Sequence, residues 1–380
     1  MKLTIAELGW DAGFAASYTP FIRPDHRPAR VTRVDRGIYG LLAADGATRA
    51  GLGGGMLTQA ARDPLALPCT GDWVVLRAWP DQRTTIEAIL PRRTRIIRAS
   101  AGGESHGQVL AANIDVVAVV EALDPEPNLV RIERLLAVTW ASGAVPVVIL
   151  TKADLVRRPD RVAAQVAEVA PGVEVVPVSA QRGTGLDRLR SFVGPGRTLG
   201  LLGASGGGKS TLVNALAGTT VMVTQAIRRA DGRGRHTTTH RALIPLPGGG
   251  AIVDTPGLRG VGLHASTSLG SSGGENSAAS LGSSGAESSA ASLGPSSLAD
   301  GLRDSFADIH ALAAACRFGD CQHEQEPGCA VRGAVANGDL SPRRLESWRR
   351  LRRELTWQGR RATQTRQRYE HRRAAGRSGP

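Results

Sequence analysis

Between residues 203 and 210 the chain reads Gly203-Ala204-Ser205-Gly206-Gly207-Gly208-Lys209-Ser210, an order of residue types suited to a triphosphate. Glycines let successive backbone N–H groups close around phosphate oxygens, a lysine ammonium neutralises the β and γ charge, and a serine hydroxyl coordinates magnesium. An apolar strand at Thr198 to Gly203 precedes the string. A helix from Lys209 to Ala217 follows, carrying Thr211 in its first turn and Leu212, Val213 and Leu216 on its apolar side. That context argues against a merely glycine-rich turn and points to nucleoside triphosphate binding without choosing the base.

Three further clusters carry chemistry. Thr151-Lys152-Ala153-Asp154 ends the apolar strand Val145 to Leu150. An aspartate held at a strand's C-terminal edge can accept from both N1–H and the exocyclic amine of guanine, donors that adenine lacks, so guanine is favoured. Ser179-Ala180, after a strand ending at Val178, supplies a supporting loop whose backbone amide can meet the guanine oxygen. Asp254-Thr255-Pro256-Gly257 follows the strand Ala251 to Val253, where Asp254 can hold magnesium through water and the Gly257 amide can sense the γ-phosphate. Either Thr238 or Thr239, beside His236, can complete the magnesium shell with Ser210 and Asp254. Finally, Cys316, Cys321, His323 and Cys329 offer three thiolates and one imidazole, a full tetrahedral set for one zinc ion; four protein ligands leave no open position, so the site is structural. The competing reading is three buried free cysteines near a satisfied histidine. Cys69 stands apart as a core cysteine.

Positioning these groups requires strands alternating with helices. Apolar runs at Val116 to Val120, Val145 to Leu150 and Val173 to Val178 alternate with helical stretches at Val130 to Ser142 and Asp160 to Val169, which implies a parallel sheet with crossover connections. Before it, Arg30 to Val34, Gly37 to Ala43, Asp72 to Ala78 and Thr84 to Leu90 read as short strands of a small all-β barrel resembling an OB-fold, with Gly51 to Gly55 as a flexible loop. Residues 1–29, with Pro20, Pro24 and Pro28, read as an irregular tail. The arginines at 92, 93, 95 and 98 form either a solvated linker or a nucleic-acid contact. The boundaries expected are 1–29 for the tail, 30–100 for the barrel, 105–262 for the α/β domain, 265–298 for a linker, 299–355 for a helical zinc-binding domain and 356–380 for a basic tail. The linker holds a twelve-residue repeat, Ser268 to Ala279 and Ser280 to Ala291 with a degenerate third copy, too poor in apolar residues to form a core.

Composition removes other classes. A chain of 380 residues with 41% hydrophobic and 21% charged residues is not disordered. Its apolar runs are far short of the roughly 18–20 residues that span a bilayer, no signal segment is evident at the N-terminus, and four cysteines do not make a disulfide framework; the protein is expected in the cytoplasm, away from membranes. The net charge of +13 is arginine-dominated, since only Lys2, Lys152 and Lys209 are lysines. Between Arg343 and Arg377 there are 13 arginines against three glutamates, a tail suited to phosphate backbones or simply a solvated helix. Ending the chain after about Leu340 is expected to leave nucleotide binding intact.

The order of parts is diagnostic: the guanine motif precedes the phosphate loop, which precedes the aspartate motif, whereas in a Ras-like chain the phosphate loop comes first and the guanine motif late, so the chain looks circularly permuted. With Gly234-Arg235-His236-Thr237-Thr238-Thr239, Asp254-Thr255-Pro256-Gly257 and the run from Cys316 to His323 continuing to Cys329, the chain over about residues 30–355 resembles the RsgA (YjeQ) family of circularly permuted GTPases. The resemblance implies a multi-domain fold: an N-terminal OB-fold β-barrel, a central circularly permuted α/β P-loop GTPase domain and a C-terminal helical zinc-binding domain. It implies GTP hydrolysis to GDP with magnesium, one structural zinc per subunit, and the small ribosomal subunit and its rRNA as partners late in maturation, with nothing to suggest more than a monomer. It also suggests that His236 reaches the attacking water, although a histidine merely packed beside the threonines fits as well. Two departures stand out. Thr151 replaces the usual Asn, which is expected to soften guanine selectivity while Asp154 keeps the larger share, and the Ser/Gly/Ala repeats lie outside the common core. Leu258 stands where Ras-like enzymes place a water-orienting glutamine, so slow intrinsic turnover is expected. An RNA-binding scaffold that holds GTP with negligible turnover is the competing functional reading, and a P-loop ATPase is disfavoured by Asp154.

Overall fold

The computed structural model describes residues 4–98, 108–222, 242–254 and 297–375. The chain opens with a short helix, α1 (Ala12–Tyr18), capped by Asp11, whose carboxylate accepts from the Gly13 and Phe14 amides. The lead-in is therefore ordered rather than an irregular tail. The reason is aromatic: Trp10, Phe14 and Tyr18 gather against buried Trp73, with Trp10 edge-on to Trp73 at 4.9 Å between ring centroids.

Strands β1 (His26–Asp35), β2 (Ile38–Ala43), β3 (Gly46–Leu52), β4 (Trp73–Ala78) and β5 (Thr84–Ile89) follow, with helix α2 (Gly54–Arg62) after β3. Their order is β1-β2-β3-β5-β4, and β4 returns to pair with β1, so the sheet closes into a barrel around Val31, Leu41, Val74, Leu76 and Ile86. The stretch Gly51 to Gly55 is not a flexible loop: Gly51 lies within β3, which ends at Leu52, and Gly54 opens α2. A two-stranded ribbon, β6 (Arg95–Arg98) with β7 (Gln108–Ala112), leads out of the barrel. The arginines there are partly spoken for. Arg92 makes a two-pronged pair with buried Asp72 at 2.8 Å from each nitrogen, and Arg93 pairs with Asp11, holding that carboxyl down at about 2.

The α/β part comprises β8 (Val116–Ala122), α3 (Leu129–Ser142), β9 (Val145–Thr151), α4 (Pro159–Ala167), β10 (Glu174–Val178), α5 (Leu186–Ser191), β11 (Thr198–Gly203), α6 (Lys209–Ala217), β12 (Ala242–Pro245) and β13 (Ala251–Asp254). Strands β10, β9, β8, β11 and β13 are parallel neighbours in that order, and β12 is antiparallel to β13. Val117 and Val119 face one apolar layer, Val116, Ala118 and Val120 the other, as expected for strands buried on both faces. Strand β12 also touches β1 at Arg33 and Ala242, so among the described residues the barrel and the α/β sheet form one continuous hydrogen-bonded sheet. Two further ties hold them. Arg30, buried, donates to the carbonyls of Leu8, Gly71 and Asn113, and the Glu7 carbonyl accepts from Gly196 and Gly250.

At the C-terminal end follow α7 (Leu298–Ser305), α8 (Ala307–Ala313), α9 (Ala330–Asn337) and α10 (Pro342–Ala375); α7 and α10 pack on α3, and α8 packs on α7 and α9. Gly301 makes this possible: a Cβ there would lie 2.3 Å from the Ala137 carbonyl oxygen. Phe306, Ile309, Val331, Trp348 and Leu351 share one apolar cluster with Leu135, Leu136 and Val166, so these helices have no separate core of their own. Helix α10 runs unbroken from Pro342 through residues 355 and 356. Its first turns belong to the core: Leu345, Trp348 and Leu351 are buried, so a chain ended after Leu340 would lose packing as well as charge. Buried Glu133 on α3 accepts from Arg343, Arg344 and Ser347, and Arg344 also pairs with Asp308 and caps the carbonyls of Val169 and Ser305. Removing the carboxylate leaves the Arg344 charge buried with less compensation, so Glu133→Ala should cost about 3–5 kcal/mol, read as early hydrogen exchange of the α7 to α10 amides.

Candidate functional site

The registers of the parallel strands bring the predicted site residues to one edge. Ala122 and Val178 each pair with Thr151, Gly203 pairs with Val120, and Asp254 pairs with Leu201. Thr151, Ser179, the 203–208 loop and Asp254 therefore all lie at the carboxyl ends of neighbouring strands, the customary ligand crevice of an open α/β sheet.

The phosphate loop follows from its glycines. Gly203 lies so close to β8 that a Cβ would sit 2.1 Å from the Val120 carbonyl oxygen. Gly206 and Gly208 have φ of +80° and +88°, a region that costs other residues strain. Gly207 donates to the Ala204 carbonyl, and Gly208 stands as the residue before α6, whose first turn is Lys209-Ser210-Thr211. The Lys209 ammonium donates to the carbonyls of Gly203 and Ala204 at 2.9 and 2.8 Å. Burial lowers its pKa, while the Asp254 and Glu121 carboxylates raise it. Asp254 is the counterpart: burial raises its pKa, the Lys209 charge lowers it, and its Oδ1 has no hydrogen-bond partner among the described residues. An orphaned, buried carboxylate oxygen at a strand end near a lysine fits a hydrated divalent cation.

The corner around Asp154 is built by β9 and β10. Asp154 lies in the turn Ala153–Leu155 just after β9. Its Oδ1 accepts from the Ser179 hydroxyl at 2.6 Å, and this bond lowers the carboxyl pKa, keeping it an anion able to accept from two donors. The Ser179 hydroxyl in turn accepts from the Arg182 amide, so Ser179, with Ala180 beside it, braces the aspartate through its side chain. Lys152 adopts φ of +60° and donates to the Asp124 carbonyl at 2.8 Å. Thr151 is buried, its hydroxyl 2.7 Å from the Gly207 carbonyl. Residues His236, Thr238, Thr239, Gly257 and Leu258 and the twelve-residue repeats lie outside the described residues.

Glu121 is a participant that motif reading passed over. It occupies an otherwise apolar buried strand, accepts from Arg131 and the Asn128 amide, and contributes to the field at Lys209. A carboxylate inside such a strand needs partners, and that was the available signal.

The second cluster lies among α8, α9 and α10. The ligand atoms of Cys316, Cys321, His323 and Cys329 all fall within 4.8 Å of one another. His323 Nδ1 is 3.6 Å from Cys316 Sγ and 3.4 Å from Cys329 Sγ, and the two sulfurs are 3.9 Å apart. Tetrahedral zinc with bonds of about 2.3 Å to sulfur and 2.0–2.1 Å to nitrogen requires edges of roughly 3.5–3.8 Å, so the four residues fit. None of the cysteines is in a disulfide. Burial holds the His323 pKa down, favouring the neutral imidazole that ligates a metal, and its ring packs on Trp348 of α10 at 5.3 Å. Cys329 is part of the apolar cluster that the C-terminal helices share with the α/β unit, and Cys316 and Cys321 pack against it.

Residues 89–264 match the family model described as RsgA GTPase. A Streptomyces coelicolor protein named small ribosomal subunit biogenesis GTPase RsgA is 46% identical over 353 residues, covering 92% of this chain and 86% of its own. The chain belongs to the RsgA family. A relative of the same name from Syntrophotalea carbinolica is 40% identical across 93% of this chain and 90% of its own. The fold agrees with YjeQ from Thermotoga maritima (TM-score 0.57, 22% identity, 87% of this chain and 99% of that one) and with YloQ, described as a circularly permuted GTPase (TM-score 0.55, 20% identity, 87% and 95%). The fold is thus the expected β-barrel, permuted GTPase domain and C-terminal helical metal-binding unit, the guanine corner preceding the phosphate loop in sequence while lying beside it in space. Family membership makes the chain a GTP hydrolase, and no described helix is long and apolar enough to cross a membrane.

Replacing Cys321 with serine should abolish stoichiometric zinc in elemental analysis. It should loosen α8 and α9 in hydrogen exchange while leaving GDP affinity within about twofold, because α6, the helix that follows the 203–208 loop, packs on the opposite face of the sheet.

Proposed function

We propose that this protein binds the assembling small ribosomal subunit in the cytoplasm and hydrolyses GTP there, turnover licensing its release late in maturation. The observation that carries the reading is the meeting, at one sheet edge, of a guanine-reading carboxylate (Asp154 on Ser179), a phosphate loop with Lys209, and the orphaned Asp254 oxygen, in a chain whose full-length relatives carry the small-subunit name.

Each residue then has a task. Asp154 accepts from guanine, with Thr151, Lys152, Ala153, Ser179 and Ala180 forming its surroundings. Gly203 to Gly208 close around the phosphates and Lys209 neutralises them, while Ser210, Asp254 and either Thr238 or Thr239 hold magnesium. Bound there, the cation would supply neutralisation of the phosphate charge. The Gly257 amide senses the γ-phosphate, and Thr211 continues the phosphate-facing turn. His236 orients the attacking water, a role Leu258 cannot fill. Zinc, held by Cys316, Cys321, His323 and Cys329, supplies no reaction step; it pins the helices that present α10.

The rRNA contact falls to the barrel, the metal-binding unit and the far part of α10. The first turns of α10 are engaged within the protein, Arg343 and Arg344 on Glu133, Arg349 on the His323 carbonyl and Arg352 on Gln322. The arginines beyond residue 360 carry the phosphate-binding role. Deleting residues 361–380 removes Arg361, Arg366, Arg368, Arg372, Arg373 and Arg377. It should weaken small-subunit binding and flatten its salt dependence by about 0.7–0.9 in log–log slope for each phosphate no longer neutralised, with GDP affinity unchanged.

Phosphate release measured without ribosomes, with small subunits and with large subunits tests the whole reading. Selective acceleration by small subunits is expected, and its absence would contradict the proposal. His236→Ala should abolish the acceleration while GTP binding persists; unchanged acceleration would remove His236 from the mechanism.

A further inference from the structure

The buried threonine at the head of the guanine motif points away from the task its position suggests. Thr151 Oγ1 lies 2.7 Å from the Gly207 carbonyl oxygen and 3.4 Å from the Glu121 carbonyl oxygen. A hydroxyl has one proton to give, and the shorter contact takes it. Its side chain also lies directly under the next residue: a Cβ on Gly208 would meet Thr151 Oγ1, Cβ and Cγ2 at 3.0, 3.2 and 3.3 Å. The peptide joining Gly207 to Gly208 is therefore gripped at its carbonyl end and backed along one face.

A trans peptide is planar, with its C=O and N–H antiparallel. Holding the Gly207 carbonyl toward β9 thus aims the Gly208 N–H the opposite way, away from β9. Lys209 does not share this task, since its ammonium engages the carbonyls of Gly203 and Ala204. Gly207 is buried, so its carbonyl would have little access to water if the hydroxyl were missing.

We propose that Thr151 is a positioning residue for the phosphates and not a reader of the base: its hydroxyl sets the Gly207–Gly208 peptide and, through it, an amide donor of the phosphate loop. On this account the change from Asn leaves base discrimination with Asp154 and Ser179, and guanine selectivity is not softened. The inference rests on residues 203–210 being a GTP-binding loop.

The test compares wild type, Thr151→Val and Thr151→Ser as full-length proteins, by equilibrium binding of GTP, of ITP, which lacks the amine read by Asp154, and of inorganic tripolyphosphate, which has no base. Thr151→Val should lose about tenfold in affinity for all three ligands, leaving the GTP-to-ITP ratio as in wild type. Thr151→Ser, which keeps the hydroxyl, should stay within about twofold of wild type. The proposal is overturned if Thr151→Val binds all three as wild type does, or if its GTP-to-ITP ratio changes while tripolyphosphate binding does not. It is also overturned if Thr151→Ser loses as much as Thr151→Val, because the methyl packing would then carry the effect; should the valine variant fold poorly, a tenfold loss in the serine variant alone has the same meaning. Wild type failing to bind GTP at all would instead defeat the underlying functional reading.

Discussion

A side chain at position 203 would put its first carbon 2.1 Å from the Val120 carbonyl oxygen, and that close approach governs the nucleotide site. It lets the loop leave β11 hard against β8, bringing Gly207 within hydrogen-bonding distance of Thr151 at the end of β9. The loop at 203–208 and the corner around Asp154 are thereby held together by the close approach of β11 to β8 and by the Thr151 hydroxyl on the Gly207 carbonyl, inside a sheet where packing leaves little freedom. Circular permutation does not disturb this arrangement, because what matters is the spatial order β10-β9-β8-β11-β13 and not where the chain begins.

The same α/β unit supports both flanking parts by different means. The barrel is joined through a continued sheet, the buried Arg30 and the aromatic lead-in around Trp73. The C-terminal helices are joined through a shared apolar core and the Glu133–Arg344 network. Burying a charged network costs desolvation that hydrophobic contacts would avoid, but it ties the root of α10 to one register on α3. The arginine-rich length of that helix is consequently carried on a fixed base beside the metal cluster.

Much of this was legible beforehand, and the failures have physical causes. Strand β11 and helix α6 were expected with the boundaries found, and β13 within one residue, because buried parallel strands leave continuous apolar runs flanked by glycine. Strand β3 escaped because Gly46-Ala47-Thr48-Arg49 has weak strand character and owes its pairing to β2 and β5. The lead-in escaped because its three aromatics find their partner, Trp73, more than fifty residues away. At the site, residue types and spacing singled out the loop at 203–210, Asp154, Asp254 and the Cys3His set, which the strand registers and the 316–329 segment bring together in two clusters. They could not show that Ser179 braces Asp154 by its hydroxyl, that Glu121 lends its field to Lys209, or that Arg92 and Arg93 are engaged by Asp72 and Asp11. Each of those depends on distances between segments remote in sequence.

The central claim is that one sheet edge reads guanine through Asp154 and holds phosphates through the loop at 203–210. Competition for bound GTP tests it most directly. GDP should displace labelled GTP at stoichiometric levels while ATP in large excess does not, and Asp154→Asn should transfer that preference from GDP to XDP, whose extra carbonyl matches an amide donor. Displacement by ATP as readily as by GDP in the wild-type protein would contradict the account.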